Sequence, residues 1–269
     1  MDSVIVVLKP KPNLPMNATS CAGCRNTDAN TFLIPFTMAF QPIVDISVEA
    51  IWGYEALVRG TGGESAYQVL SQVTEQNRYA FDQACRVKAI ELAGSAMAGG
   101  ETRLSINFMP NAVYEPKACI RATLDAASRM RFDPRRLMFE FTENERMDDV
   151  AHVSHIVSEY KRMGFTTALD DFGAGYAGLS LLSKFQTDLI KIDMELLRGI
   201  EASATKRAIV RGLVGITNEL GITLLAEGVE SAAELEVLKD MGIRLFQGYY
   251  FARPQLEGFQ TMAEIRQAA

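Results

Sequence analysis

Asp170 and Asp171 end an apolar run, TTAL, and are followed by glycines at 173 and 175 and then by a helical leucine pattern, Leu179, Leu181 and Leu182. Two like charges side by side at the mouth of a buried strand repel each other, and a nearby cation is the simplest remedy. The chain has only two histidines, so a hard divalent ion held by oxygen fits better than a nitrogen-bound one. Asp-Asp-Phe-Gly also occurs where kinases hold magnesium, but neither a kinase glycine loop nor a kinase catalytic loop precedes it here.

Other strand-like runs carry polar groups to their ends. Glu55 lies in IWGYEALVR, Asn107 in LSINF, Glu140 in LMFEFTE, Glu227 in ITLLAEG and Gln247 in RLFQGYYF. In LIKID, Ile190 and Ile192 share one strand face and suit packing against outer helices, so Lys191 points the other way, into the fold. Any one of these residues could simply satisfy loop amides, and the lysine could simply be an ion-pair partner. Together, Glu55, Glu140, Asp170, Asp171 and Glu227 set five carboxylates against one lysine. Bound cations would relieve that imbalance. Two divalent ions ~3.5–4 Å apart, bridged by a carboxylate, would also support in-line attack on a phosphate ester. An all-oxygen set favours Mg²⁺ or Mn²⁺ over zinc.

Strands that must position these groups read at 36–45, 51–59, 104–108, 137–143, 166–171, 188–193, 222–228 and 244–251. Helices read at 65–98, 117–129, 147–163, near 204–219 and at 257–268, and a helix after 228 opens on Ser231 and Glu234, the spacing of a capping box. The first two strands look hairpin-connected, and the rest alternate strand and helix. That order implies a parallel sheet, and about eight strands in 269 residues imply a closed α/β barrel. The composition, 48% hydrophobic and 22% charged, is that of a globular chain. A net charge of −6 argues against a nucleic-acid polymer as partner. No run approaches the ~20 apolar residues of a membrane span, and no signal-peptide pattern opens the chain, so a cytoplasmic protein without membrane contact is expected. Residues 1–35 have another texture, with Pro10, Pro12 and Pro15 ahead of Cys21-Ala-Gly-Cys24, and read as an N-terminal arm preceding a barrel domain at 36–269. The cysteine pair could be half of a zinc site or a redox pair, although reduced surface thiols are the simpler reading.

From about 36 to 254 the chain resembles the EAL-domain phosphodiesterases, which hydrolyse the bacterial second messenger cyclic di-GMP. QPIVD (41–45), EALVR (55–59), SIN (105–107), FEFTE (139–143), LDDFGAGY (169–176), LIKID (189–193), AEGVE (226–230) and QGYYFARP (247–254) carry the resemblance. It implies a TIM-like (β/α)₈ barrel variant whose first strand is antiparallel, and two metal ions per active site. By motif, Glu55, Asn107, Glu140 and Asp170 are implied ligands of one ion. Asp170 would bridge to the second, which Asp171 and Glu227 would also hold. Lys191 is implied to orient the attacking water, with Glu227 as a further candidate and Glu55 beside them. Gln41, Leu57, Arg59, Asn107, Asp171, Glu230, Gln247 and Tyr250 are implied substrate contacts. Glu143 would anchor the loop after Asp171, which in the family couples to a homodimer formed with neighbouring helices. The implied product is linear 5′-pGpG.

The sequence departs from the family at three places. Ala174, Ala177 and Gly178 replace hydroxyl residues of the loop after Asp171, Gly60 replaces an aromatic after Arg59, and Phe108-Met109-Pro110 follows SIN. None of these is an implied metal ligand. Two alternatives accompany the enzyme: a catalytically silent cyclic di-GMP receptor and a protein-interaction module.

Overall fold

All ten residues of β1 (Phe36–Asp45) are buried. A strand with one wet face would alternate, so unbroken burial means cover on both sides. β2 (Ala50–Gly60), β3 (Arg103–Asn107), β4 (Leu137–Thr142), β5 (Thr166–Phe172), β6 (Leu189–Ile192), β7 (Thr223–Ala226) and β8 (Leu245–Phe246) follow in sequence order as parallel neighbours. β1 closes the ring by pairing antiparallel with both β2 and β8. The fold is therefore the expected α/β barrel with its first strand reversed. A short β9 (Gln255–Leu256) adds to the edge of β1 at Ala39 and Phe40. The computed structural model describes residues 28, 31–97, 99–110, 113, 115–142, 150–175 and 178–268.

The outer layer is α1 (Ala66–Leu70), α2 (Arg78–Ala96), α3 (Pro116–Cys119), α4 (Arg121–Arg129), α5 (Val150–Arg162), α6 (Gly178–Leu182), α7 (Met194–Leu197), α8 (Ala204–Leu220), α9 (Ala232–Asp240) and α10 (Met262–Ala268). Several boundaries differ from those expected. The region 65–98 is two helices, because Asn77 Oδ1 accepts from the Thr74 amide at 2.7 Å and holds the chain in a turn before α2. The expected helix 117–129 breaks at Ile120. The final strand-like run pairs only at Leu245 and Phe246. At Gly248 the chain lies so close to the β7 loop that a Cβ would stand 2.1 Å from the Val229 carbonyl oxygen, and it turns there instead of extending. The closing helix starts at Met262, where Thr261 and Glu264 exchange amide bonds of 2.7 and 3.3 Å in a capping box. The capping box expected at Ser231 and Glu234 is present. Cys21, Cys24 and most of the arm lie outside the described residues. Phe32 and Ile34, near its end, pack against Phe36, Val69 and Phe81. Among the described residues no helix is long and apolar enough to cross a membrane.

Two layers fill the barrel, and their order explains how the site is placed. Ile43, Met138, Ala168, Leu189, Leu225 and Leu245 form an apolar plug, one side chain from each of six strands. Side chains on one face recur every second residue, so the next inward positions are Glu140, Asp170, Lys191, Glu227 and Gln247, each two residues later. On β1 the polar residue comes first, Gln41 two before Ile43, because that strand runs the other way. The plug keeps water from reaching the polar layer from below.

Candidate active site at the barrel mouth

Lys191 is fully buried on β6, and its Nζ lies 3.2 Å from Glu55 Oε2, 3.1 Å from Glu140 Oε2, 3.0 Å from Asp170 Oδ1 and 3.1 Å from Glu227 Oε2. An ammonium has three protons to donate and cannot bond four carboxylates at once. Hydrogen bonds form to Glu55 and Glu140. Asp170 Oδ1, Glu227 Oε2 and the second oxygen of Glu140 are left as buried acceptors without a hydrogen-bond donor. Glu55 is the best-supported carboxylate, since it also accepts from Asn107 Nδ2 at 2.9 Å and from Gln247 Nε2 at 2.7 Å. Gln247 bonds Gln41 Oε1 at 3.0 Å, and Gln41 in turn reaches the Ala252 carbonyl.

Asp171 requires a further device. Adjacent strand residues point to opposite faces, yet Asp170 and Asp171 are both buried at this rim. The β5–β6 register shifts between Leu169 and Phe172, and Asp171 adopts a left-handed φ of 55°. Such a bulge re-aims a side chain, and aspartate tolerates the left-handed region better than most residues. Gly173, at φ 100°, completes the turn where a Cβ would strike Leu196.

The electrostatics follow from this crowding. Burial would raise the Glu55 carboxyl, but Lys191 and the Gln247 and Asn107 hydrogen bonds outweigh it and hold the group below its ordinary range. Burial pushes Glu140 and Glu227 well above theirs; Lys191 opposes this, while Glu55 and Asp170 add to it. Burial would lower Lys191, but Asp170, Glu140, Glu227 and Glu55 keep it well above its usual value. For Asp171, burial and then the Asp170 charge lead, and its carboxyl rises from 3.8 to about 7. Between those values the folded protein holds a proton that the unfolded chain releases, so this contribution to stability is full below pH 3.8 and is lost as pH rises through about 7. Groups held low, such as Glu55 and Glu234, are ionised in both states above about pH 5 and add no slope there. The metal-free protein is therefore expected to melt at a lower temperature at about pH 8 than at about pH 5, and divalent ions to raise the melting temperature more at the higher pH. Thermal melts in chelator and in excess Mg²⁺ or Mn²⁺ check this, and a metal-free melting temperature that rises over the same range contradicts it.

The donor set suits a hard cation. Oxygens of Glu55, Glu140 and Asp170 lie within 4.8 Å of one another, and oxygens on opposite sides of one Mg²⁺ or Ca²⁺ stand ~4–5 Å apart. The undonated oxygens of Glu140 and Asp170 are the atoms such an ion would satisfy.

Above the cluster opens a pocket lined by Gln41, Glu55, Leu57, Arg59, Glu227 and Glu230, all expected from the sequence, and also by Asp193, Met194, Gly228, Gly248, Tyr249 and Pro254. Asp193 caps α7 through the Glu195 amide at 2.7 Å; its place two residues after Lys191 was the signal that could have found it. Tyr249, under the Arg253 guanidinium at 4.1 Å, lines the pocket. Tyr250 packs edge-on against Phe251 and the core. Gly60 lies against Glu64, whose carboxylate occupies the space that a side chain at 60 would enter. Glu143 lies outside the described residues.

The sequence and fold have counterparts among known proteins. A standalone EAL protein of Vibrio cholerae O395, solved in its c-di-GMP-bound form, is 52% identical with a TM-score of 0.82, covering 87% of this chain and 98% of that one. BlrP1 of Klebsiella pneumoniae, solved as a manganese/cy-diGMP complex, is 37% identical with a TM-score of 0.79, covering 84% of this chain and 58% of that one. The blue light- and temperature-regulated antirepressor BluF of Escherichia coli K12 is 31% identical over 225 residues, 84% of this chain and 56% of BluF. The chain spans about half or less of the length of the first curated relatives it matches. The sequence profile of the EAL domain matches residues 34–254, and with the reversed first strand and the lysine-centred carboxylates at the barrel mouth, the chain belongs to the EAL domain family.

Proposed function

We propose that this protein is a metal-dependent phosphodiesterase that hydrolyses cyclic di-GMP to linear 5′-pGpG. The observation that carries the reading is the cluster of four carboxylates on one buried lysine at the floor of an open pocket. Glu55, Asn107, Glu140 and Asp170 would hold one Mg²⁺ or Mn²⁺ ion, and Asp170, Asp171 and Glu227 a second. Bound there, the cations would supply Lewis-acid charge and lower the proton affinity of water. Lys191 can donate but not accept, so it orients water or a phosphoryl oxygen. Glu227, whose side chain is 23% exposed and lines the pocket, would take up the released proton. Gln41, Leu57, Arg59, Asn107, Asp171, Glu230 and Gln247 are assigned to substrate, with Tyr249 taking the place expected of Tyr250 on the pocket wall and Arg59 offsetting the substrate's negative charge. Residues 36–269 are assigned to the barrel and 1–35 to an arm, and the protein to the bacterial cytoplasm. A homodimer through the loop after Asp171 and adjacent helices is supported by exposed Leu179, Ile209, Ile216 and Leu220.

The test is incubation of the full chain with cyclic di-GMP and Mg²⁺ or Mn²⁺, with linear product read by chromatography. Tight binding without product would establish the silent receptor instead. Likeness to an antirepressor favours a protein-interaction module as the second reading, which a Glu55→Ala variant retaining full cellular effect would support.

A further inference from the structure

Among the described residues the ion-pair partner of the Glu227 side chain is Lys191, and Glu227 Oε2 accepts no hydrogen bond, so its place depends on the backbone that carries it. The Glu227 amide bonds the Ile192 carbonyl at 3.1 Å and the Val229 amide bonds Gln247 O at 3.1 Å. Between them Gly228 adopts φ 73°, with Met194 so near that a Cβ would stand 2.6 Å from Met194 Cβ. The Gly228 carbonyl projects away and is received by a residue of another loop. Arg198 Nη2 donates to it at 3.1 Å and also lies 2.9 Å from Glu230 Oε1. Arg198 Nη1 faces the Glu234 carboxylate at 3.3 and 3.4 Å. Glu234 is buried, and it also accepts from the Glu230, Ser231 and Gly199 amides. Lys206 holds the Arg198 backbone from α8 by a 2.8 Å bond to its carbonyl.

We infer that Arg198 is a positioning residue for hydrolysis, clamping the β7 loop to the β6 loop so that Glu227 stays against Lys191 and Glu230 stays on the pocket wall. This deepens the function proposed above and rests on Glu227 acting there. A planar guanidinium can bond the Gly228 carbonyl, Glu230 and Glu234 together; a lysine at that position would keep the charge but not the fork. Arg198 and Glu230 are 37% and 45% exposed, and the buried Glu234 keeps three amide donors without Arg198, so the clamp adds little to global stability. Its effect is on placement, where a shift of about 1 Å can cost about 10²-fold in rate.

The test uses the full chain, with Arg198→Ala and Arg198→Lys beside the parent. Both variants are expected to lose about 10- to 100-fold in kcat, with KM changed much less and the melting temperature nearly unchanged. Amide hydrogen exchange at Val229 and Glu230 is expected to quicken. Parental kcat in Arg198→Ala, full recovery in Arg198→Lys, or a loss that only tracks a lowered folded fraction would each overturn the clamp. If the parent itself leaves cyclic di-GMP uncut, the enzyme reading fails separately, and exchange at Val229 and Glu230 decides the clamp: parental rates in both variants overturn it.

Discussion

Lys191→Met is expected to destabilise the metal-free protein by about 3–5 kcal/mol at about pH 8, the cost of leaving a buried charge without its partner. The methionine fills nearly the same space, so packing is kept and charge is what changes. Glu55, Glu140, Asp170 and Glu227 each lie within 3.2 Å of the lost ammonium. Without it they must take up protons or repel one another. The deficit is therefore expected to shrink as pH falls, and also on adding Mg²⁺ or Mn²⁺, which would replace the missing positive charge. Hydrolysis should fall about 10²–10³-fold, as when one preorganised donor is removed, and added metal should not restore it. Chemical denaturation at two pH values, with chelator or metal, measures the stability effect. A variant as stable as the parent in chelator at about pH 8 would show that the lysine does not hold this cluster together.

Asp170→Asn is expected to act in the opposite sense on stability. Asp170 raises the proton affinity of Asp171, Glu140 and Glu227 and so adds repulsion to the site, against one attraction to Lys191. An amide keeps the shape and removes a charge, so the metal-free variant should melt at or above the parental temperature at about pH 8. Its stabilisation by divalent ions should largely disappear, and hydrolysis should drop by about 10²-fold or more, since even supporting groups around a metal ligand are worth 10–100-fold. A functional carboxylate commonly strains the fold that holds it. Metal-titrated melts and product formation check both halves; unchanged stabilisation by metal would remove Asp170 from the ligand set.

The strands were legible because a closed barrel buries them on both faces, which leaves continuous apolar runs with a polar residue near one end. FTMAFQPIVD is β1 to the residue. Lys191 could be read as inward-facing because Ile190 and Ile192 bracket it. The Arg198 clamp had no such signature: its partners Gly228, Glu230 and Glu234 lie 30 to 36 positions away, and their meeting depends on how two loops fold over each other. The bulge that turns both aspartates to the rim was also hidden, since Asp-Asp at a strand end says nothing of register. Tyr249 rather than Tyr250 lines the pocket because the chain turns at Gly248, so strand alternation does not apply there.

The reversed first strand has an architectural consequence. Phe36 pairs with Gly60, the last residue of β2, so the polypeptide enters the barrel beside the open pocket, where in an all-parallel barrel it would enter from the opposite pole. A sequence joined immediately before Phe36 would thereby start beside the pocket. Fusions for activity measurements are better made at the other terminus.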